Sequence, residues 1–210
     1  MQDIGIVYQD EHLLAVNKPS GLLSVPGRGP DKQDCLIHRI LPHYPNARIV
    51  HRLDMATSGL ILIPLSHDSQ VALGQQFEKR TMEKHYCALV EGSLEPQSQL
   101  IDLPLICDWP NRPLQMVDHE NGKSAQTQAE LLSYDGENHC SRLTLKPLTG
   151  RSHQLRVHMQ AIGHPILGDE FYAPEAVQKK SPRLCLHAEF LTLKHPISGE
   201  ELSMHCPADF

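Results

Sequence analysis

Proline and glycine punctuate this chain from end to end, with 16 prolines and 13 glycines spread through 210 residues. Proline removes a hydrogen bond from any helix interior or central strand, and glycine favours turns. The chain is thereby restricted to short elements joined by turns. Ile4 to Tyr8 and Leu13 to Val16 are apolar runs separated by Gln9-Asp10-Glu11-His12, the pattern of a hairpin. Lys18-Pro19-Ser20-Gly21 is a turn signal. Cys35 to Leu41 reads as a short helix ended by Pro42, and Gly59 to Leu65 as a buried strand. Ser66 or Asp68 can cap a helix running to about Arg80, with Val71, Leu73 and Phe77 as its core face.

His85 to Val90 carries strand-type residues, and Ser124 to Leu132 and Cys140 to Lys146 alternate with period two. Leu184 to Leu193 is a further strand. Ser152 to Ile162 is the clearest helix: Leu155, Met159 and Ile162 share one face, and Gly163 is placed to end it in the left-handed conformation. Strands outnumber helices and are mostly hairpin-linked. The expected class is α+β, a mixed and largely antiparallel sheet with flanking helices and loops. No repeat, low-complexity tract or composition shift marks a boundary, so residues 1–210 are expected to form a single domain.

Apolar residues make up 40% and charged residues 21%, an ordinary soluble composition. The longest apolar stretch, Leu60 to Leu65, is far too short to span a bilayer, and Met1-Gln2-Asp3-Ile4 has no leader character. Six cysteines without a Cys-x-x-Cys pair suggest reduced, partly buried thiols and a cytoplasmic setting. No long exposed apolar stripe is evident, so a monomer is expected. The net charge of −6 argues against a nucleic-acid partner taken alone. Clustering matters more than the total, and Arg52, Arg80, Lys84, Arg151, Arg156, Lys179, Lys180 and Arg183 recur beside the motifs that carry chemistry.

Three segments carry that chemistry. Val50-His51-Arg52-Leu53-Asp54-Met55-Ala56-Thr57-Ser58-Gly59 puts a carboxylate on a loop of small hydroxyl residues. Such a carboxylate serves as nucleophile or base, or merely caps backbone amides; the residues alone leave both open. Lys146 to His158 places Arg151 at the start of a helix with His153, Arg156 and His158 in its first two turns. An Arg at a rigid turn can hold a carboxylate through two hydrogen bonds; the alternative is a solvated cationic face. In Lys84-His85-Tyr86 a tyrosine begins a strand, where it either stacks on a base or fills the core.

Together, in this order and spacing, these segments resemble the RluA-type pseudouridine synthases. The resemblance runs over nearly the whole chain, through Asn17-Lys18-Pro19-Ser20-Gly21-Leu22, Pro165-Ile166-Leu167-Gly168-Asp169 and Leu186-His187-Ala188. It implies the pseudouridine synthase catalytic fold and the isomerisation of uridine in structured RNA, with the target base flipped out and no cofactor or metal. It implies Asp54 as the catalytic carboxylate, paired with Arg151, and Tyr86 against the flipped base. Arg52 would fill the gap in the RNA stack. His51, Arg80, Lys84, Arg112, Arg156, Lys179 and Lys180 are the further expected RNA contacts, the last two on a mobile loop from Tyr172 to Arg183. Asp102 to Pro113 and the tail Cys206 to Phe210 resemble a dual-specificity branch, which implies action on a hairpin loop of 23S rRNA and on the anticodon stem-loop of certain tRNAs. Many relatives carry an N-terminal S4 RNA-binding domain; with a first strand at Ile4, none is expected here.

Rival readings keep the small basic domain and change its use. A non-catalytic RNA-binding protein has no need of Asp54, Tyr86 and Arg151 together. A metal-dependent hydrolase would use some of the fourteen histidines, yet His153 and His158 are five apart and lie on different faces of a helix. The third rival is the same chemistry on another uridine.

Overall fold

A computed structural model of the chain describes residues 4–210. Met1, Gln2 and Asp3, on which the reading of no leader rests, lie outside them. Along the chain the elements are β1 (Gly5–Gln9), β2 (Leu13–Lys18), α1 (Leu36–Ile40), β3 (Ser58–Pro64), α2 (His67–Lys79), β4 (Glu83–Glu91), β5 (Ser98–Asp102), β6 (Leu105–Cys107), β7 (Gln115–Val117), β8 (Gln126–Asp135), β9 (Cys140–Pro147), α3 (Gln154–Ala161), α4 (Glu175–Gln178), β10 (Leu186–Lys194) and β11 (Glu201–His205). They divide into two compact units. One runs to Lys84 and resumes over His187–Asp209; the other spans His85–Leu186 with Phe210. The chain passes between them inside β4 and β10, so no linker composition marks the division.

In the first unit β1, β2 and β3 are antiparallel neighbours, β10 joins β3 in parallel, and β11 pairs antiparallel with β10. Every residue of β3 is buried, as a continuous apolar run requires when both faces are covered. Its Leu60–Ile63 and Leu13–Val16 of β2 form the centre of the core. Helix α2 packs on β3. Ser66 caps it by accepting a hydrogen bond from the Ser69 amide, as its position predicts. The expected core face needs one correction: Val71 is exposed, and the buried positions are Ser69 and Leu73. Two residues of helix rotate a side chain about 200°, so Val71 and Leu73 cannot share a face.

The second unit is an antiparallel sheet in the order β4-β9-β8-β5, with β6 and β7 forming a separate hairpin. Helix α3 packs against β9 and β7, and Leu105, Ala125 and Val157 close a small core with Val117 and Tyr172. Gly163 ends α3 at φ +86°, the left-handed turn its sequence predicts. The mixed, largely antiparallel α+β class is therefore observed, with the parallel β3–β10 pair in the first unit.

One close approach fixes the parallel pairing. Gly59 stands at φ +110° beside β10, and a Cβ there would lie 2.3 Å from the carbonyl oxygen of Ala188. Gly59→Ala is expected to destabilise the chain by at least about 2 kcal/mol, read as a lower urea midpoint. An unchanged midpoint would show that β3 and β10 tolerate separation.

Candidate active site

Asp54 sits half-buried on the loop that leads into β3, and its neighbours are pinned one by one. The Ser24 hydroxyl donates to the Leu53 carbonyl at 2.8 Å and accepts from the Leu53 amide at 3.1 Å. The Thr57 amide closes a turn onto the Asp54 carbonyl. The Ser20 hydroxyl donates to the Ala56 carbonyl, and the Gly21 amide to that of Met55. Behind Ser58, the hydroxyl donates to His187 Nδ1 at 2.8 Å while His187 Nε2 donates to the Cys206 carbonyl at 2.9 Å. Arg52 and Met55, on either side of Leu53-Asp54, are exposed.

Lys18 underlies this loop. It is fully buried, and its Nζ donates to the carbonyls of Leu22, Met55 and Pro19 at 2.7, 3.1 and 2.9 Å. Three acceptors match the three N–H bonds of an ammonium group. Burial pushes its pKa down to about 7, and the charge of Asp54 opposes that fall. A lysine that reads in sequence only as part of a turn is thus a buried amine bonded to the loop of the candidate catalytic carboxylate.

His51, expected to touch RNA, is occupied elsewhere. Its Nε2 accepts a hydrogen bond from the Leu62 amide at 2.8 Å, and its ring lies 4.6 Å from that of Phe77. An acceptor nitrogen carries no proton, so the ring is neutral; burial, aided by the charge of Lys84, pushes its pKa down to about 3. Lys84 is half-buried with Nζ 5.7 Å from the Phe77 ring, while Arg80 is exposed in the left-handed conformation that ends α2.

In the second unit Tyr86 lies half-buried on β4, opposite Leu145 of β9. Arg151 is held by backbone and side chain: its amide donates to Gln154 Oε1 at 3.0 Å and its Nε to the Ser124 carbonyl at 3.0 Å. Gln154 also accepts from the Thr149 hydroxyl and donates to the Gln126 carbonyl and to Thr127 Oγ1. His158 extends this buried network. Nε2 donates to the Leu103 carbonyl, so Nδ1 accepts from the Thr127 hydroxyl. With both nitrogens engaged, His158 is not a metal ligand here, and His153 Nδ1 is bonded to the Tyr172 hydroxyl at 2.6 Å.

Two further expected RNA contacts have partners within the protein. Arg156 is buried and makes a two-pronged pair with buried Asp169, at 2.8 and 2.6 Å, beneath Phe171 and Tyr172. Its place in the first turns of a short helix suggested exposure, but every residue from Gln154 to Met159 is buried. Lys180 is tied to Glu91 at 2.6 Å and to the Asn138 carbonyl. The segment expected to be a mobile loop contains α4, and Lys179 pairs along it with Glu175.

Comparison with known proteins shows the chain's relatives. The profile of the family described as RNA pseudouridylate synthase matches residues 12–161. The chain is 55% identical over 205 residues to the dual-specificity RNA pseudouridine synthase RluA of Escherichia coli strain K12, covering 98% of this chain and 93% of that protein. It is 52% identical over 205 residues to the protein of the same name from Yersinia pestis, covering 98% and 99%. Among solved structures, human RNA pseudouridylate synthase domain containing 1 superposes with a TM-score of 0.84 at 28% identity, covering all of this chain and 85% of that one.

The neutral His51 carries a pH dependence whose sign is fixed. Its pKa falls from the ordinary 6.5 to about 3 on folding, so between those values the unfolded chain binds more protons. The His51 contribution to stability is complete above pH 6.5 and is lost as pH falls through that window. Burial of His158 acts in the same direction, whereas Asp10 titrates below the usual carboxylate range. The urea midpoint is expected to drop between pH 6.5 and 5, and His51→Gln to flatten that slope. An identical slope in the variant would show that His51 titrates normally.

Proposed function

This chain belongs to the RNA pseudouridylate synthase family, and we propose that it modifies uridines in two kinds of RNA stem-loop, an rRNA hairpin and a tRNA anticodon arm. The single observation that carries this reading is the 52–55% identity, over nearly their full length, to relatives named dual-specificity enzymes. Pseudouridine synthesis breaks the bond between uracil N1 and ribose C1′, turns the base and re-forms the link through C5. Nothing is oxidised or hydrolysed, and the hydrogen on C5 is released to solvent.

Asp54 is the proposed catalytic carboxylate. Attack at C1′, addition at C6 and removal of a ribose proton all demand a carboxylate fixed in place. The pinned Leu53, Met55 and Ala56 supply that fixity, so the reacting group is positioned before RNA arrives. Tyr86 and Arg151, carried by the second unit, are the further proposed catalytic residues. Their support is the resemblance of the motifs together with the rigid Thr149-to-Gln154 turn that holds the Arg151 backbone.

The base must leave its stack to react. Arg52, exposed and two residues from Asp54, suits the vacancy, because a planar guanidinium both stacks and contacts phosphate. Arg80 and Arg112 are exposed and remain proposed phosphate contacts. Lys179 can exchange an exposed helix pair, worth about 0.3–0.5 kcal/mol, for phosphate. His51 and Arg156 are held by the protein itself and are left out of the proposed contact set, whereas exposed Lys180, ion-paired like Lys179, stays in it.

The test is tritium release from stem-loops labelled at uracil C5. Release from both the rRNA hairpin and the anticodon arm is expected, reduced more than about 10³-fold by Asp54→Asn with RNA affinity retained. Release from one RNA alone would overturn dual specificity.

A further inference from the structure

We propose that Trp109 and Arg112, at the tip of the β6–β7 hairpin, form a stacking platform for an unpaired base of the RNA loop other than the target uridine. This rests on the RNA-modifying function above and adds to it a recognition subsite. Trp109 is the chain's one tryptophan and is 67% exposed. An indole left in water forgoes the burial that tryptophan side chains normally find. The Arg112 guanidinium carbon lies 4.0 Å from the centre of its ring, and Arg112 Nε donates to the Trp109 carbonyl at 3.1 Å. The pair is therefore assembled in the free protein.

The tip is built to hold that pair. The Asp108 amide donates to the Leu114 carbonyl at 2.9 Å, and the Leu114 amide to that of Asn111 at 3.1 Å. Asn111 Nδ2 bonds Asp108 Oδ2 at 2.9 Å. Where the tip joins β7 the hairpin is tied toward the Arg151 turn: the Gln115 amide donates to the Tyr172 hydroxyl at 2.9 Å, and that oxygen bonds His153 Nδ1. An indole backed by a guanidinium offers a broad π-face and a fixed positive charge. A nucleobase joined to phosphate matches both, and an unpaired base alone presents its face. A base inside a duplex is already stacked on its neighbours.

Because Trp109 is the sole tryptophan, its emission reports on this site alone. The experiment titrates the full chain with an anticodon stem-loop RNA labelled with fluorescein. Trp109 emission and fluorescein anisotropy are followed together, with tritium release measured on the same RNA. Quenching that saturates with the anisotropy is expected, and a blunt duplex of the same stem should give none. Trp109→Ala is expected to weaken stem-loop affinity about 10-fold or more, and Trp109→Phe to restore most of it. Anisotropy and tritium release without quenching would overturn the platform and leave the enzymatic function standing. Equal quenching by the duplex would overturn the unpaired-base assignment. Absence of both binding and tritium release would overturn the functional reading itself, and the platform with it.

Discussion

The three hydrogen bonds from the Lys18 ammonium hold together what the rest of the first unit arranges around Asp54. They reach carbonyls on two separate stretches of chain, the turn at Pro19 and Leu22 and the Asp54 loop at Met55. The Leu22 carbonyl left buried without this donor would cost about 1–3 kcal/mol, while Met55 keeps the Gly21 amide, so the two stretches are coupled through one side chain and one turn amide. Ser20 and Ser24 repeat the same link, from the turn to Ala56 and Leu53. In its protonated form, which three carbonyl acceptors favour, the buried group also brings a positive charge beneath the Asp54 loop.

The second unit solves a similar problem with different chemistry. Its Arg151 turn is positioned by a neutral network running from Thr149 through Gln154 and Thr127 to His158. Beneath it lies the buried Arg156–Asp169 pair, whose carboxylate also accepts the amides of Phe171 and Tyr172. Losing one partner of such a pair leaves a buried charge uncompensated, at a cost of about 3–5 kcal/mol. The cations of this protein therefore divide by job: Lys18 and Arg156 organise the interior, while Arg52, Arg80 and Arg112 face solvent. A net charge of −6 counts both kinds together, which is why it says little about RNA.

Much of the fold was legible because its signals are local. The buried strand β3, the Ser66 cap and the Gly163 stop each follow from a few adjacent residues. The candidate catalytic residues were legible through motif order, since Asp54, Tyr86 and Arg151 lie in separate segments that resemble one family. The short strands β5, β6, β7 and β11 were not, because three to five residues carry too little periodicity to separate strand from loop. Nor was the fate of individual cations. Whether Arg156 meets solvent or Asp169, thirteen residues away, is decided by tertiary packing. Lys18 was hidden likewise, since a lysine beside Pro-Ser-Gly reads as a solvated turn until its acceptors on the Asp54 loop are seen.

The coupling of Lys18 to Asp54 is tested most directly by the single-turnover rate of Lys18→Met on a saturating excess of enzyme over the anticodon stem-loop. Methionine preserves bulk and removes the donors, so the loop loses its side-chain anchor at Met55 and keeps only the Gly21 amide there, while the exposed cations stay in place. The rate is predicted to fall by about 10²-fold, the effect of displacing a reacting group by around 1 Å. A rate equal to that of the unaltered chain would contradict the central role given to Lys18.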